Sequence, residues 1–141
     1  LPLADACADV ILDIFAPRNG AEFHRVLRPE GTLLVVTPTQ RHLTELIAPL
    51  RLLSVAPDKH DRVLGTLGRW FAPVHHQEVA YTLRLTRPEV ARFVTMGPSA
   101  WHTTEAELAD RLATMAEPVT VTVSVNLTTW RPHPPTVLRP A

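Results

Sequence analysis

Two short words in this sequence place recognition-capable side chains where an open α/β sheet holds its ligands. Phe15-Ala16-Pro17 closes the apolar run Ala8–Phe15 (ADVILDIF), which reads as a strand covered on both faces and stopped by Pro17. Open α/β sheets bind at the carboxyl ends of such strands. A strand-stop proline beside a core phenylalanine is the plainer alternative. His42 reads as sitting in the first turn of a helix that Thr39 caps. There an imidazole can donate a hydrogen bond, helped by the helix N-terminus, or simply be solvated. Arg18 and Arg41 flank the same edge and suit phosphate, or else a solvated surface. Trp101, at the end of MGPSAW (Met96–Trp101), can stack on an unpaired base or pack beside a helix end. His75 and His76 are adjacent on a strand and point to opposite faces, so they cannot chelate one metal together. Asp9 and Asp13 share a strand face, yet no reaction calls for that carboxylate pair.

The elements that must carry these residues follow from pattern. After Pro17, Asn19 caps a helix with Glu22 at its third position and Phe23, Val26 and Leu27 as its stripe. Pro29-Glu30-Gly31 turns the chain into TLLVVTP, a second buried strand ending at Pro38. Strand, crossover helix and strand at this spacing predict a parallel pair. RHLTELIAPL follows as a helix with Leu43, Leu46 and Ile47 on one face. The stretch 51–69 reads as irregular to helical, with Leu64 and Leu67 as core contacts. Glu78–Leu85 alternates as a strand, with Val79, Tyr81, Leu83 and Leu85 pointing one way. Thr86–Glu89 and Thr104–Glu107 are capping boxes that open two helices. Val119, Val121, Val123, Val125 and Leu127 alternate with Thr, Ser and Asn as the last strand. The expected architecture is α/β, two parallel strands followed by an antiparallel pair, with helices on both faces. Residues 1–131 form this unit, and 132–141 form a Pro-rich tail.

Bulk composition excludes several classes. The 141 residues are 45% hydrophobic and 20% charged, which is globular and not disordered. Fourteen basic and fourteen acidic residues cancel, so no global field advertises nucleic acid or membrane. Cys7 is the single cysteine, which makes neither a disulfide framework nor a zinc site and suggests an intracellular, cytoplasmic protein. The longest apolar runs are short and interrupted, so no membrane span is expected.

The order of elements and its words resemble the C-terminal half of a Rossmann-like class I S-adenosylmethionine-dependent methyltransferase. ADVIL with its lead-in is similar to that fold's fourth strand, and HRVLRPEGTLLVVTP to its turn and fifth strand. Glu30 stands where a glycine is usual. FAP, TPTQRHLTEL and MGPSAW further resemble the 23S rRNA (guanine-N1)-methyltransferases, which include macrolide-resistance members. The resemblance implies S-adenosyl-L-methionine as cofactor, with Phe15, Ala16, Pro17 and His42 contacting it. It implies 23S rRNA as partner, met by Arg18, Arg41 and Trp101. The family's Gly-rich loop, its first three strands and its N-terminal zinc module have no counterpart in these residues, so the segment is expected to be inactive alone. A small-molecule methyltransferase of the same fold, and a non-catalytic half-domain that dimerises through a bare strand edge, remain as alternatives.

Overall fold

The computed structural model describes residues 1–54, 59–96 and 104–134. Trp101 and most of MGPSAW therefore lie outside the described residues, as does the tail beyond residue 134. The elements run β1 (Ala8–Ile14), α1 (Gly20–Val26), β2 (Leu27–Pro38), α2 (Thr44–Leu50), α3 (Lys59–Leu67), β3 (Phe71–Leu85), α4 (Arg87–Met96), α5 (Glu105–Ala113) and β4 (Val119–Pro132). The four strands form one sheet in the order β1-β2-β4-β3, with β1 parallel to β2 and the other pairs antiparallel. The last strand thus enters between the second and third. Packing divides the chain into two units, one of residues 1–37, 57–78 and 126–141 and one of residues 38–56 and 79–125.

In the first unit β1 and β2 are joined in register from Val10↔Thr32 to Ile14↔Val36. Along β2, Gly31, Leu33, Val35 and Thr37 are buried and their alternates half-buried, as in a strand with neighbours on both edges. β1 departs from expectation. Its apolar run predicts a strand covered on both faces, but Val10, Leu12 and Ile14 are more than half exposed. Its sequence is apolar enough for an interior strand, yet it is the edge of the described sheet. The core gathers Leu27, Leu33, Val35, Val63, Leu67, Phe71 and Trp130, with Ala8, Ile11 and Phe23 packed against it. Asn19 caps α1 as expected, accepting the Glu22 N–H at 3.2 Å.

The expected turn at Pro29-Glu30-Gly31 is instead an irregularity within β2. The register slips between Ala8↔Leu27 and Val10↔Thr32, so residues 28–31 stand opposite Asp9 alone. Arg131 of β4 donates to the carbonyls of Glu30 (2.5 Å) and Gly31 (3.1 Å), which satisfies backbone that the slip leaves off the ladder. Gly31 has no room for a side chain: a Cβ there would lie 2.6 Å from Leu27 Cγ and 2.9 Å from the Arg28 carbonyl oxygen.

The second unit packs Leu46, Leu50, Leu85, Val90, Val94, Leu108, Leu112, Val119 and Val121 into its own core. Of the two predicted capping boxes, Thr104–Glu107 forms in full and Thr86–Glu89 shows the bonds from Thr86 to the Glu89 carboxylate. The Thr86 hydroxyl and N–H donate to Glu89, and the Thr104 and Glu107 side chains exchange hydrogen bonds with each other's backbone. Two elements differ from the sequence reading. β3 begins at Phe71 rather than Glu78 and contains Pro73, which an edge strand tolerates because one side of it needs no donor. α2 begins at Thr44, so Gln40–Leu43 form a turn and not a first helical turn.

Two glycines should respond oppositely to alanine. Gly31→Ala should destabilise by about 1–3 kcal/mol, because the new methyl meets backbone as well as Leu27. Gly65→Ala, in α3 with nothing within 4 Å of the added Cβ, should stabilise by about 0.5–1 kcal/mol. Urea denaturation with an unchanged m-value would read both.

Candidate functional site

Where β1 ends, the chain must leave the ladder and turn into α1 within a few residues. Phe15 still donates its N–H to Val36 at 3.1 Å, then its backbone enters the left-handed region at φ 54°. A bulky residue there costs on the order of 1–3 kcal/mol and persists only when the surroundings impose it. The residue as a whole is 52% exposed. Beneath the loop lies Asp13, which is 2% exposed and has Arg18 Nε 3.0 Å from its Oδ2. Burial pushes the Asp13 carboxyl above its ordinary value, while Arg18 and, less strongly, the Ala16 N–H pull it back. The contact is an ion pair by distance, and neither Asp13 oxygen completes an aligned hydrogen bond among the described residues. Asp13 and Arg18 thus enclose Phe15-Ala16-Pro17 from below.

Where β2 ends, a turn in the second unit is laced to β4 by successive hydrogen bonds. Thr39 donates its N–H to the Ser124 carbonyl at 3.0 Å and its hydroxyl to Ser124 Oγ at 2.7 Å. The Thr39 hydroxyl oxygen also accepts the Arg41 N–H at 3.2 Å, so Thr39 caps the turn rather than the helix. Leu43 donates to the Thr122 carbonyl at 2.7 Å and holds a left-handed φ of 54°. Glu45 closes the set, accepting the Thr122 N–H at 3.0 Å and its hydroxyl at 2.5 Å. Burial opposes the charge on Glu45, but the Thr122 hydroxyl and N–H outweigh it and hold the carboxyl below its ordinary value.

His42 stands inside this lacework, half-buried, with Nδ1 accepting the Ser124 N–H at 3.3 Å. An imidazole nitrogen that accepts carries no proton, so the neutral ring keeps its proton on Nε2. This arrangement makes His42 a hydrogen-bond donor and removes Nε2 as a base.

The remaining expected residues are placed as follows. Ala16 and Pro17 are exposed in the loop, and Arg41 is exposed on the turn. Arg18, expected to face phosphate, is instead set against Asp13 with its side chain only 15% exposed. Asp9 and Asp13 do not form a pair: Asp9 is exposed and bridges to Arg28. His76 shares a hydrogen bond with Thr128 at 3.0 Å, which fits a structural role. Sequence reasoning missed Asp13, Ser124 and Glu45 as parts of these loops. For Asp13 one signal was present, a carboxylate late in an apolar strand with arginine five residues on. Among the described residues no three His, Cys, Asp or Glu side chains are grouped to hold a metal ion. Nor is any described helix long and apolar enough to cross a membrane.

No family model matches the sequence. The chain is 55% identical over 132 residues to a Micromonospora griseorubida protein named "Putative 23S rRNA (guanine-N(1)-)-methyltransferase", covering 94% of this chain and 45% of that one. It is 47% identical over 134 residues to the 23S rRNA (guanine(748)-N(1))-methyltransferase of Streptomyces fradiae, covering 95% and 48%. These residues are homologous to about half of a 23S rRNA guanine-N1 methyltransferase. The chain spans about half the length of the curated relatives it matches. The α/β class and the mixed sheet, a parallel pair with antiparallel partners, are as the sequence predicts. Among solved structures, YcgJ from Bacillus subtilis matches with a TM-score of 0.50 at 14% identity, covering 93% of this chain and 66% of that one.

The turn that carries His42 in this methyltransferase homologue should loosen in acid. The folded-state pKa of Glu45 is depressed, so its stabilisation is present above the ordinary value of 4.5 and is lost as pH falls through the lower folded value. Glu45→Gln should therefore melt earlier than the parent at neutral pH, and the gap should shrink as pH drops below about 4.5. Thermal melts across that range read it. Asp13 works in the opposite sense: its raised pKa costs stability as pH rises above 3.8, so it cannot mimic the Glu45 profile.

Proposed function

We propose that the gene product carrying these residues transfers a methyl group from S-adenosylmethionine to N1 of a guanine in 23S rRNA. The observation that carries the reading is 55% and 47% identity, across nearly all of this chain, to proteins with that printed activity. The side chains available suit such a cofactor. Phe15 is an exposed aromatic residue in a fixed conformation, and His42 offers an N–H donor for a carboxylate.

The cofactor supplies an electrophilic methyl on sulfonium. The task of the protein is alignment for in-line displacement and a path for the proton that leaves guanine N1. In this reading Phe15-Ala16-Pro17 forms wall beside the methyl group, and His42 donates from Nε2 to the cofactor. Arg41, exposed on its turn, meets the RNA backbone, and Trp101 stacks on the guanine turned out of its helix. Arg18 is held by Asp13 and serves the loop before it serves phosphate. The N1 proton passes to water, since the hydrogen-bonded tautomer of His42 has its acceptor nitrogen occupied. A cytoplasmic location beside the ribosome, and macrolide resistance through the added methyl group, belong to the same proposal.

In the full-length gene product His42→Ala should weaken binding of S-adenosylhomocysteine about tenfold, the loss of one hydrogen bond to a charged group. Calorimetry reads this directly, and unchanged affinity would remove His42 from the site. A second reading, favoured by the exposed Val10, Leu12 and Ile14 on β1, is self-association of the 141-residue chain through that edge. It predicts a concentration-dependent dimer in sedimentation; a monomer at high concentration rejects it.

A further inference from the structure

A charged pair buried behind an exposed loop is an expensive way to fill space. Asp13 points from β1 into the interior although its neighbours on the strand are apolar, and Arg18 returns from beyond Pro17 to meet it at 3.0 Å. Between them the chain makes its sharpest local departure, with Phe15 at a positive φ and half exposed. The two residues that flank residues 14–17 are therefore tied to each other by charge, and Phe15 is tied to β2 by its N–H. Buried ion pairs of this kind can often be exchanged for apolar side chains without loss of stability. Stability alone therefore does not explain why a carboxylate stands here.

We propose that Asp13 and Arg18 are positioning residues: their buried ion pair fixes the Phe15-Ala16-Pro17 loop so that the Phe15 ring is presented in one orientation at the carboxyl edge of β1. The pair touches neither cofactor nor RNA. It acts through Phe15, and its catalytic consequence rests on the methyltransferase reading above. A neutral replacement of the same bulk removes that attraction, which acts beside the Phe15 N–H bond to Val36 in holding the left-handed Phe15 backbone. Arg18 cannot simply be swapped with a second cation elsewhere in the loop, because Arg18 is the only basic residue between Asp13 and Asn19.

The test separates loop order from activity. In the full-length gene product labelled with 4-fluorophenylalanine, the Phe15 resonance, assigned through Phe15→Leu, should be single and sharp. In Arg18→Met and in Asp13→Leu/Arg18→Met it should broaden or move, and Arg18→Lys, which keeps the cation, should largely restore it. The double variant removes both charges together, so its melting temperature should stay near that of the parent while kcat on 23S rRNA falls on the order of 100-fold. KM for the RNA should change by no more than about threefold, as when an interaction made only in the transition state is lost. A double variant with parental resonance and parental kcat would overturn the proposal and leave the pair as packing. If that variant does not fold, the Lys and Met replacements of Arg18 decide through the resonance: indistinguishable spectra overturn the proposal. A parent that leaves 23S rRNA unmethylated refutes the functional reading, whereas the resonance arm still reports on the clamp.

Discussion

Both loops depend on where the parallel ladder between β1 and β2 stops. A parallel pair needs its connection to cross over, so both strands run the same way and both release the chain at one edge. The register Ile14↔Val36 and the further bond from Phe15 N–H to Val36 fix that edge to the residue. One position earlier, Ile14 would leave the ladder and Asp13 would be its last residue. One position later, the left-handed turn at Phe15 would fall inside the ladder. The slip at residues 28–31 belongs to the same constraint, because it sets the phase in which β2 reaches Val36. Gly31 and the Arg131 guanidinium make that slip tolerable at the far end of the strand.

The two loops are then held by different physics. The β2 exit is fastened by neutral and charge-assisted hydrogen bonds to β4, and Glu45 is consequently easier to ionise than usual. The β1 exit rests on one ion pair taken out of water, whose carboxylate is harder to ionise than usual despite a cation at 3.0 Å. Desolvation exceeds the attraction there, as it commonly does for buried pairs. A hydrogen-bonded turn is stable by itself and presents a donor of fixed tautomer. A strained loop over an incompletely satisfied pair stores free energy and depends on its clamp.

The sequence made legible what local physics controls. Helix starts written as Asn19 with Glu22, Thr86 with Glu89 and Thr104 with Glu107 appear as hydrogen bonds at those residues, because a cap needs only its own turn. The first two strands and their parallel pairing were legible from spacing alone. Tertiary context decided the rest. Thr39 looked like a helix cap, but Ser124, distant in sequence, takes its hydroxyl and the helix starts later. The alternation marked β3 only from Glu78, whereas the strand begins at Phe71 and, as an edge, tolerates Pro73. In β4 the valine alternation suggested one continuous inward face. Yet Ser124, Thr128 and Trp130 are buried while Val123, Val125 and Leu127 are only half-buried. A strand flanked by β2 and β3 buries both faces, and its two hydroxyls find partners in Thr39 and His76.

Those buried hydroxyls explain why polar residues interrupt the last strand at all. Ser124 accepts from Thr39, and its N–H reaches His42, so one residue of β4 fixes both the exit of β2 and the tautomer of the imidazole. An alanine there would keep the backbone bond and lose the hydroxyl, leaving Thr39 with a half-buried donor to satisfy elsewhere. Alternation therefore reports on the sheet, whereas buried polar residues report on what the sheet carries. Asp13 interrupts the apolar run of β1, and Ser124, at a polar position of β4, is buried where Val123 and Val125 are only half-buried. Each stands next to a loop whose conformation it helps to set, and in each case a buried polar side chain holds a neighbouring loop rather than filling the core.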